Sequence, residues 1–564
     1  MPPLVLFEEN RAYVIEKFRN GHFDYIEVIQ EVAQRDFFRY IDTNGLLSKL
    51  AESYPWPRKR EEVPCWFYLA ADMAMRLHGN HAFHGFPWVV STGGLLAAFG
   101  PSLGTRHRDP KTGQLRIECP GFNDKNEFPR ATPCDQDFLR KIARDTGSAE
   151  LLNWFNSSVQ QAFRTHRYYD KEGLFIGDGS YLFVPDNEKY EGSTRMLFDE
   201  DGHPVSSKEL DSLPPKKAAR CQWKRCYKLV SLLHTDRTGS FFLYAALAVV
   251  PGNAHECPVF WKLVDDFVAS MGKGVIRHLI LDRGFIDGSA ISKAKSDYGI
   301  DTTIGVRRNM DIYTDAIGLA KLSDTQWESY APDVVEPAKG SPRGELIDPA
   351  RAIPLRLREA KRQQTVAAKR LAQGLPAAPV KPALSWATKI SRTTSFESCS
   401  VPLDIVLCTT DKNPQSEDAW AIMTTVQEPD AKSAIERYAL RPMIEERHRH
   451  IKGCWDITEF TSCNLSLVVN QVVFTLLTYS LLQMQLFRRG QKALNKATKS
   501  RMLEKLAPIA EDITVFTDQY YARFTTYDYT VLAMSVPETI KPKLLARLNR
   551  KQRERSQALG PAPP

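Results

Sequence analysis

The sequence predicts a mixed α/β core behind a mostly helical leading region, and three observations carry the prediction. Up to about residue 165 the chain reads helical, in segments such as FRYIDTNGLLSKLAESY, VPCWFYLAADMAMRLHG and PCDQDFLRKIARDT. After Lys171 it changes to apolar, aromatic and β-branched runs bounded by Gly, Asp and Pro: GLFIGDGSYLFV, YKLVSLLHT and SFFLYAALAVV. Beyond residue 255, helical and strand patterns alternate.

Taken in order, Thr132 and Pro133 read as a helix start. Asp236-Arg237-Thr238-Gly239 reads as a hairpin turn, which makes the second and third strands antiparallel. A helix follows at 255–270, then the strand HLILD ending at Asp282, a helix near 289–296 and the strand TTIGV. Three strands, helix, strand, helix, strand is the opening order of an RNase H-like mixed sheet. Residues 308–400 break the pattern. They are rich in Pro, Lys and Arg and contain GLPAAPVKPAL, which reads as an inserted module because it is too long for a plain loop. The core resumes with VPLDIVLCTT and DAWAIMTTV. The expected division is a helical N-terminal region at 1–165, a first core part at 166–307, an insertion at 308–400, a second core part at 401–490 and a basic C-terminal region at 491–564.

A chain of 564 residues is too long for one compact core, so several domains are expected. Charged residues at 25% beside 43% hydrophobic ones exclude a fibrous or wholly disordered chain. The net charge of +8 is unevenly placed, with basic runs at 356–370 and 541–555 of the kind that collect a polyanion. Ten cysteines without a CxxC pair fit neither a zinc ribbon nor a disulfide scaffold and suggest a reducing cytoplasm. The start, MPPLVLFEENRAYVIEKF, does not read as a signal peptide. From Phe460 to Phe487 there is no charged residue, long enough to span a bilayer. Asn464, Asn470, Gln471, Gln483 and Gln485 would be costly in lipid, so this stretch is expected to be a buried core helix with no membrane contact.

The peptide YALRPMIEERHRHIK, 438–452, concentrates polar groups just before that run. On a helix, Tyr438, Arg441, Glu445 and Lys452 fall within an arc of about 60°, beside an apolar stripe of Leu440, Ile444 and Ile451. Pro442 disfavours helical geometry at Arg441, so the helix begins or bends there. Glu446 points about 100° away from Glu445, and His448, at about 280°, reads either as reaching the site or as a surface residue. Alone, Arg441 with Glu445 is an ordinary i,i+4 pair. Two aspartates change its meaning: Asp178 in FIGDGSY and Asp282 in LILDRGF follow the apolar residues of the first and fourth strands. In an RNase H-like sheet those strands are neighbours, so both carboxylates emerge at one end and the glutamate helix packs there. Three carboxylates so close repel unless a divalent cation joins them. Oxygen-only ligands favour Mg²⁺, with Mn²⁺ as a substitute. Two such ions, about 3.5–4 Å apart, activate an attacking oxygen and stabilise a leaving one on a phosphodiester. His78, His81 and His84 read as core histidines rather than a metal site, and Trp223, Lys224, Arg225 and Lys228 as contacts to backbone phosphate.

Tyr438-x2-Arg441-x3-Glu445-x6-Lys452 resembles the Y-R-E-K signature of bacterial insertion-sequence transposases of the DDE class, and Asp282-Arg283-Gly284-Phe285 resembles their second-aspartate motif. The resemblance covers roughly residues 170–485. It implies Asp178, Asp282 and Glu445 as the metal-binding catalytic triad, Arg441 and Lys452 on phosphates at the element's end, and Tyr438 positioning the strand there. It also implies a tryptophan of the insertion, Trp327 or Trp386, against a flipped base. The expected partners are double-stranded DNA, as terminal inverted repeats and target, and a second copy in a homodimeric synapse, acting in the bacterial cytoplasm. The rival readings are a metal-dependent nuclease or resolvase on the same fold, and a catalytically inactive DNA-binding relative.

Overall fold

The computed structural model describes residues 8–29, 32–59, 63–86, 135–329, 386–414, 419–492 and 512–546, apart from 201 and 519. It also describes short pieces at 105–108, 115–118, 335–337, 352–354 and 370–371 and the single residues 89 and 495. Among these, ten strands form one mixed sheet. They are β1 (Leu174–Val184), β2 (Thr194–Phe198), β3 (Gln222–Thr235), β4 (Leu243–Pro251), β5 (His278–Leu281), β6 (Asp301–Gly305), β7 (Glu328–Ser329), β8 (Trp386–Thr393), β9 (Leu403–Thr409) and β10 (Trp420–Thr424). Their order is β7-β8-β9-β10-β6-β5-β1-β3-β2, with β4 also paired to β3. β5 is parallel to both β1 and β6, and β3 is antiparallel to both β1 and β4. The middle of the sheet, β4-β3-β1-β5-β6, is therefore the RNase H-like arrangement, and the 236–239 hairpin joins β3 to β4 as expected.

Seven helices matter for the site: α1 (Cys65–Leu77), α2 (Glu256–Met271), α3 (Gly288–Tyr298), α4 (Asp311–Ala320), α5 (Ala431–Tyr438), α6 (Pro442–Gly453) and α7 (Leu465–Arg488). Successive residues of a strand point to opposite faces, so β1 feeds two cores. Phe175 joins Phe260, Ile291 and Ile312 beneath α2, α3 and α4, while Ile176 joins Ile444, Val472 and Phe474 beneath α6 and α7. Both faces of the central strands are covered, which accounts for their unbroken apolar runs.

That sandwich also explains α7. It is long and apolar enough to cross a membrane, yet it packs against α1, the helix Ser148–Trp154 and β4. Three of its amide side chains donate to partners inside the protein. Asn470 donates to Asp72 Oδ2 at 2.7 Å, Gln471 to the Ile457 and Glu459 carbonyls, and Gln483 to the Asn495 carbonyl.

The leading region is mostly helical, as expected, and carries strands that the reading did not place. Glu8–Glu9 and Tyr25–Ile29 are strands of a small sheet completed by Asp512–Thr517 and Tyr520–Thr525, so the two ends of the chain share one core. No local pattern announces a pairing across almost five hundred residues. The helix expected to start at 132–133 begins at Gln136, with the Asp135 carboxylate capping the Asp137 amide; positions 132 and 133 lie outside the described residues. Of the 308–400 stretch expected as an insertion, α4 packs on the main core and β8 pairs with β9. The basic run 356–370 lies almost wholly outside the described residues, as does the tail beyond residue 546.

Candidate active site

β1 does not end at Asp178 but runs on to Val184; what ends there is the parallel pairing with β5, whose last partners are Gly177 and Leu281. Asp178 and Asp282 are the next residues on two strands about 4.8 Å apart, so register alone sets them side by side. Two glycines decide which way Asp178 faces. A Cβ on Gly177 would lie 2.3 Å from the Phe260 ring, and one on Gly179 would lie 2.2 Å from Glu256 Oε2. Both flanking positions thus meet α2, and Asp178 projects to the opposite face, toward α6. The turn after Asp282 is tied down by Arg307, whose Nε and Nη2 donate to the Arg283 carbonyl at 3.1 and 2.9 Å. Trp261 Nε1 adds a donation to the Phe285 carbonyl.

Pro442 is the first residue of α6, so the quoted peptide is two helices with a break between them. Tyr438 closes α5, Arg441 sits at the junction, and Glu445, His448 and Lys452 follow along α6. Leu440, Ile444 and Ile451 are buried, as the apolar stripe requires. Glu446 turns away to pair with Arg449 and His450.

The three carboxylates meet at Arg441. Its Nη2 lies 3.7 Å from Asp178 Oδ1 and 3.4 Å from Asp282 Oδ2, and its Nη1 pairs with Glu445 Oε1. Burial pulls the guanidinium pKa down, but Asp178, Asp282 and Glu445 outweigh it and the net shift is upward. Burial, reinforced by Asp282, pushes Tyr438 up to about 12. Its hydroxyl lies 2.9 Å from where a Cβ on Gly305 would stand, so that glycine leaves room for it. Burial lowers the Lys452 pKa against the pull of Asp178.

Among the described residues no three His, Cys, Asp or Glu side chains stand ready to hold a metal, and the Arg441 guanidinium stands between the carboxylates. The donor set nevertheless fits a hard divalent ion. It consists of oxygen ligands from three separate elements around a seat that already holds a cationic group.

Residues 192–481, just over half of the chain, match the family model for the transposase DDE domain. The chain belongs to that family. No curated protein matches it. The matched segment of the transposase includes Asp282, Tyr438, Arg441, Glu445 and Lys452 and begins after Asp178. Divalent metal ions and a DNA substrate are general to such transposases.

Other residues singled out in the transposase sequence lie elsewhere. Lys228 is buried: its ammonium donates to the Ala254 carbonyl at 2.9 Å and stands 3.7 Å from Glu256, over the Tyr181 ring. Trp223 is exposed, with Arg195 over its ring. Trp327 is half-buried against the α2–α4 core, and Trp386 opens β8 with Lys412 over its ring, so both lie along the far edge of the main sheet. His81 is a core histidine, with Nδ1 near Arg76 and Nε2 on the Trp455 carbonyl, and His78 contacts Gln34. Arg307, Trp261 and Ser231, which shape the site, carry no sequence signal: Arg307 lies in the loop after β6, Trp261 in α2 and Ser231 in β3, and only the fold gives each its partner.

Proposed function

We propose that this transposase cuts the phosphodiester backbone at the ends of its element and joins the freed 3′ hydroxyl to target DNA, with Asp178, Asp282 and Glu445 as the metal-holding triad. The observation that carries this reading is the convergence of three carboxylates, from β1, from the turn after β5 and from α6, on the guanidinium of Arg441. Bound Mg²⁺, or Mn²⁺ in its place, as a pair of ions, would activate the attacking oxygen and stabilise the leaving one.

Arg441 keeps the carboxylates from repelling one another in the free protein. Its Nε is buried without a hydrogen-bond partner, a spare donor suited to a backbone phosphate. Lys452 supplies a second phosphate contact from about three turns further along the chain, and Tyr438 braces the strand at the cleaved end. Trp327 and Trp386 remain the candidates for a base contact. Lys228 is left out of the contact set because its ammonium is engaged within the fold. The reading also includes end recognition by the N-terminal region 1–165, a homodimeric synapse holding two ends, and action in the cytoplasm.

The test is cleavage of a DNA carrying the element's end, with strand transfer of pre-cleaved ends measured separately. Asp178→Ala, Asp282→Ala and Glu445→Ala each abolish cleavage and leave end binding largely intact. Cutting near the wild-type rate by any of the three refutes the triad, and cleavage without joining identifies a nuclease.

A further inference from the structure

Asp178 offers its two oxygens to two different neighbours. Oδ1 lies toward Arg441 and hence toward the space shared with Asp282 and Glu445. Oδ2 lies 3.3 Å from Nδ1 of His448, a buried residue one turn along α6 from Glu445. The imidazole is pinned from its far side, with Nε2 3.1 Å from Ser231 Oγ. Ser231 is the residue that pairs with Asp178 across β1 and β3, so the aspartate and the anchor of its neighbour are set by one register. Tyr244 of β4 lies nearly parallel to the ring, 6.4 Å away at 19°.

The last torsion of an aspartate is broad and two-fold, so the strand fixes where the carboxylate is but not which oxygen faces the site. A neighbour must choose. With a proton on Nδ1, His448 donates toward Oδ2 while Nε2 accepts from the Ser231 hydroxyl. Arg441 faces the other oxygen and has a spare donor for DNA; His448 is buried and anchored.

Building on the metal role given to Asp178 above, we propose that His448 is a positioning residue which holds Asp178 Oδ2 so that Oδ1 stays turned into the shared site. Outer partners of this kind are worth about 10–100-fold in metal affinity.

The experiment titrates Mn²⁺ alone into the full-length protein by calorimetry and, in parallel, measures cleavage against Mg²⁺ concentration. His448→Ala weakens Mn²⁺ binding by about 10–100-fold and raises the Mg²⁺ needed for half-maximal cleavage to match. Two further variants cover the case in which the alanine protein fails to fold. Asparagine places its amide nitrogen near the position of Nδ1, and glutamine near that of Nε2. His448→Asn therefore restores Mn²⁺ affinity toward wild type, and His448→Gln does not. Equal affinities for the two amides, or an unchanged affinity in the alanine variant, overturn the proposal. Asp178→Asn is the control: should it bind Mn²⁺ as tightly as wild type, the triad assignment itself falls, and the two failures are told apart.

Discussion

At the residue scale, one arginine organises the site. Three carboxylates of unlike exposure share a guanidinium: Asp178 is 13% exposed at its side chain, Asp282 37% and Glu445 52%. The buried aspartate is the fixed member, and the glutamate, on the first turn of α6, has the most freedom. Glu446, its neighbour, belongs to a different set of contacts. Burial would raise its pKa, yet Arg449 and His450 hold it below the usual carboxylate range. Glu445→Gln should therefore slow cleavage by about 10²-fold or more, the scale of one lost transition-state contact, while Glu446→Gln costs less than about tenfold. Single-turnover cleavage rates decide it; the reverse ranking would give the role of Glu445 to Glu446. Much of this site was legible in the sequence. The spacing of Tyr438, Arg441, Glu445 and Lys452 is local, and helical geometry converts spacing into direction. The parts that were not legible are the turn braces, because Arg307 and Trp261 act on carbonyls far along the chain.

At the element scale, the Gly-Asp-Gly stretch of β1 shows how a strand is shaped for a site. Gly177 is the tight position, since a methyl there would strike the Phe260 ring at 2.3 Å and the Leu281 side chain at 2.7 Å. An aromatic ring packed in a core cannot swing away. Gly177→Ala should therefore cost about 1–3 kcal/mol in a denaturant titration and shift Asp178 enough to slow cleavage. Gly179 meets only the free end of the Glu256 side chain. Gly179→Ala should cost less than about 1 kcal/mol, since the carboxylate can turn aside and the unfolded chain loses freedom. Equal costs would mean that α2 does not press on β1 as described. The break between α5 and α6 is the matching case in a helix. Pro442 fixes where α6 begins, and Arg441, freed from a helix interior, reaches back across the site.

At the scale of the whole molecule, buried histidines tie the parts together. His81 joins the loop after α1 to the Trp455 carbonyl, His234 ties β3 to the start of β1, and His278 bridges β5 to Thr303 of β6. Burial lowers their pKa values to about 3, 4 and 3, with Arg76 and Arg437 adding to the effect at His81 and His278. Each folded value lies below the ordinary 6.5, so the unfolded chain binds the extra proton first as the pH falls. Stability is therefore full above pH 6.5 and is lost on acidification, by up to about 1.4 kcal/mol per pH unit for each histidine. Asp42 works in the opposite sense. Burial raises it to about 6 from 3.8, so folding retains its proton between those values and offsets about one histidine. The thermal unfolding midpoint should fall between pH 6.5 and pH 4, and His234→Asn should flatten that slope; a midpoint independent of pH would contradict the burial of these rings.

The sequence by itself determined the strand and helix order of the core, the residues offered to the site and the burial of α7. Those follow from periodicity, turn chemistry and the cost of amides in lipid, all of which act over a few residues. Only the tertiary structure decided that the two ends of the chain share one small sheet, that Lys228 is engaged in the interior, and that Arg441 stands among the three carboxylates. Each of these depends on pairing between segments far apart in the chain, where local propensity is silent and the burial of complementary surfaces selects the partner.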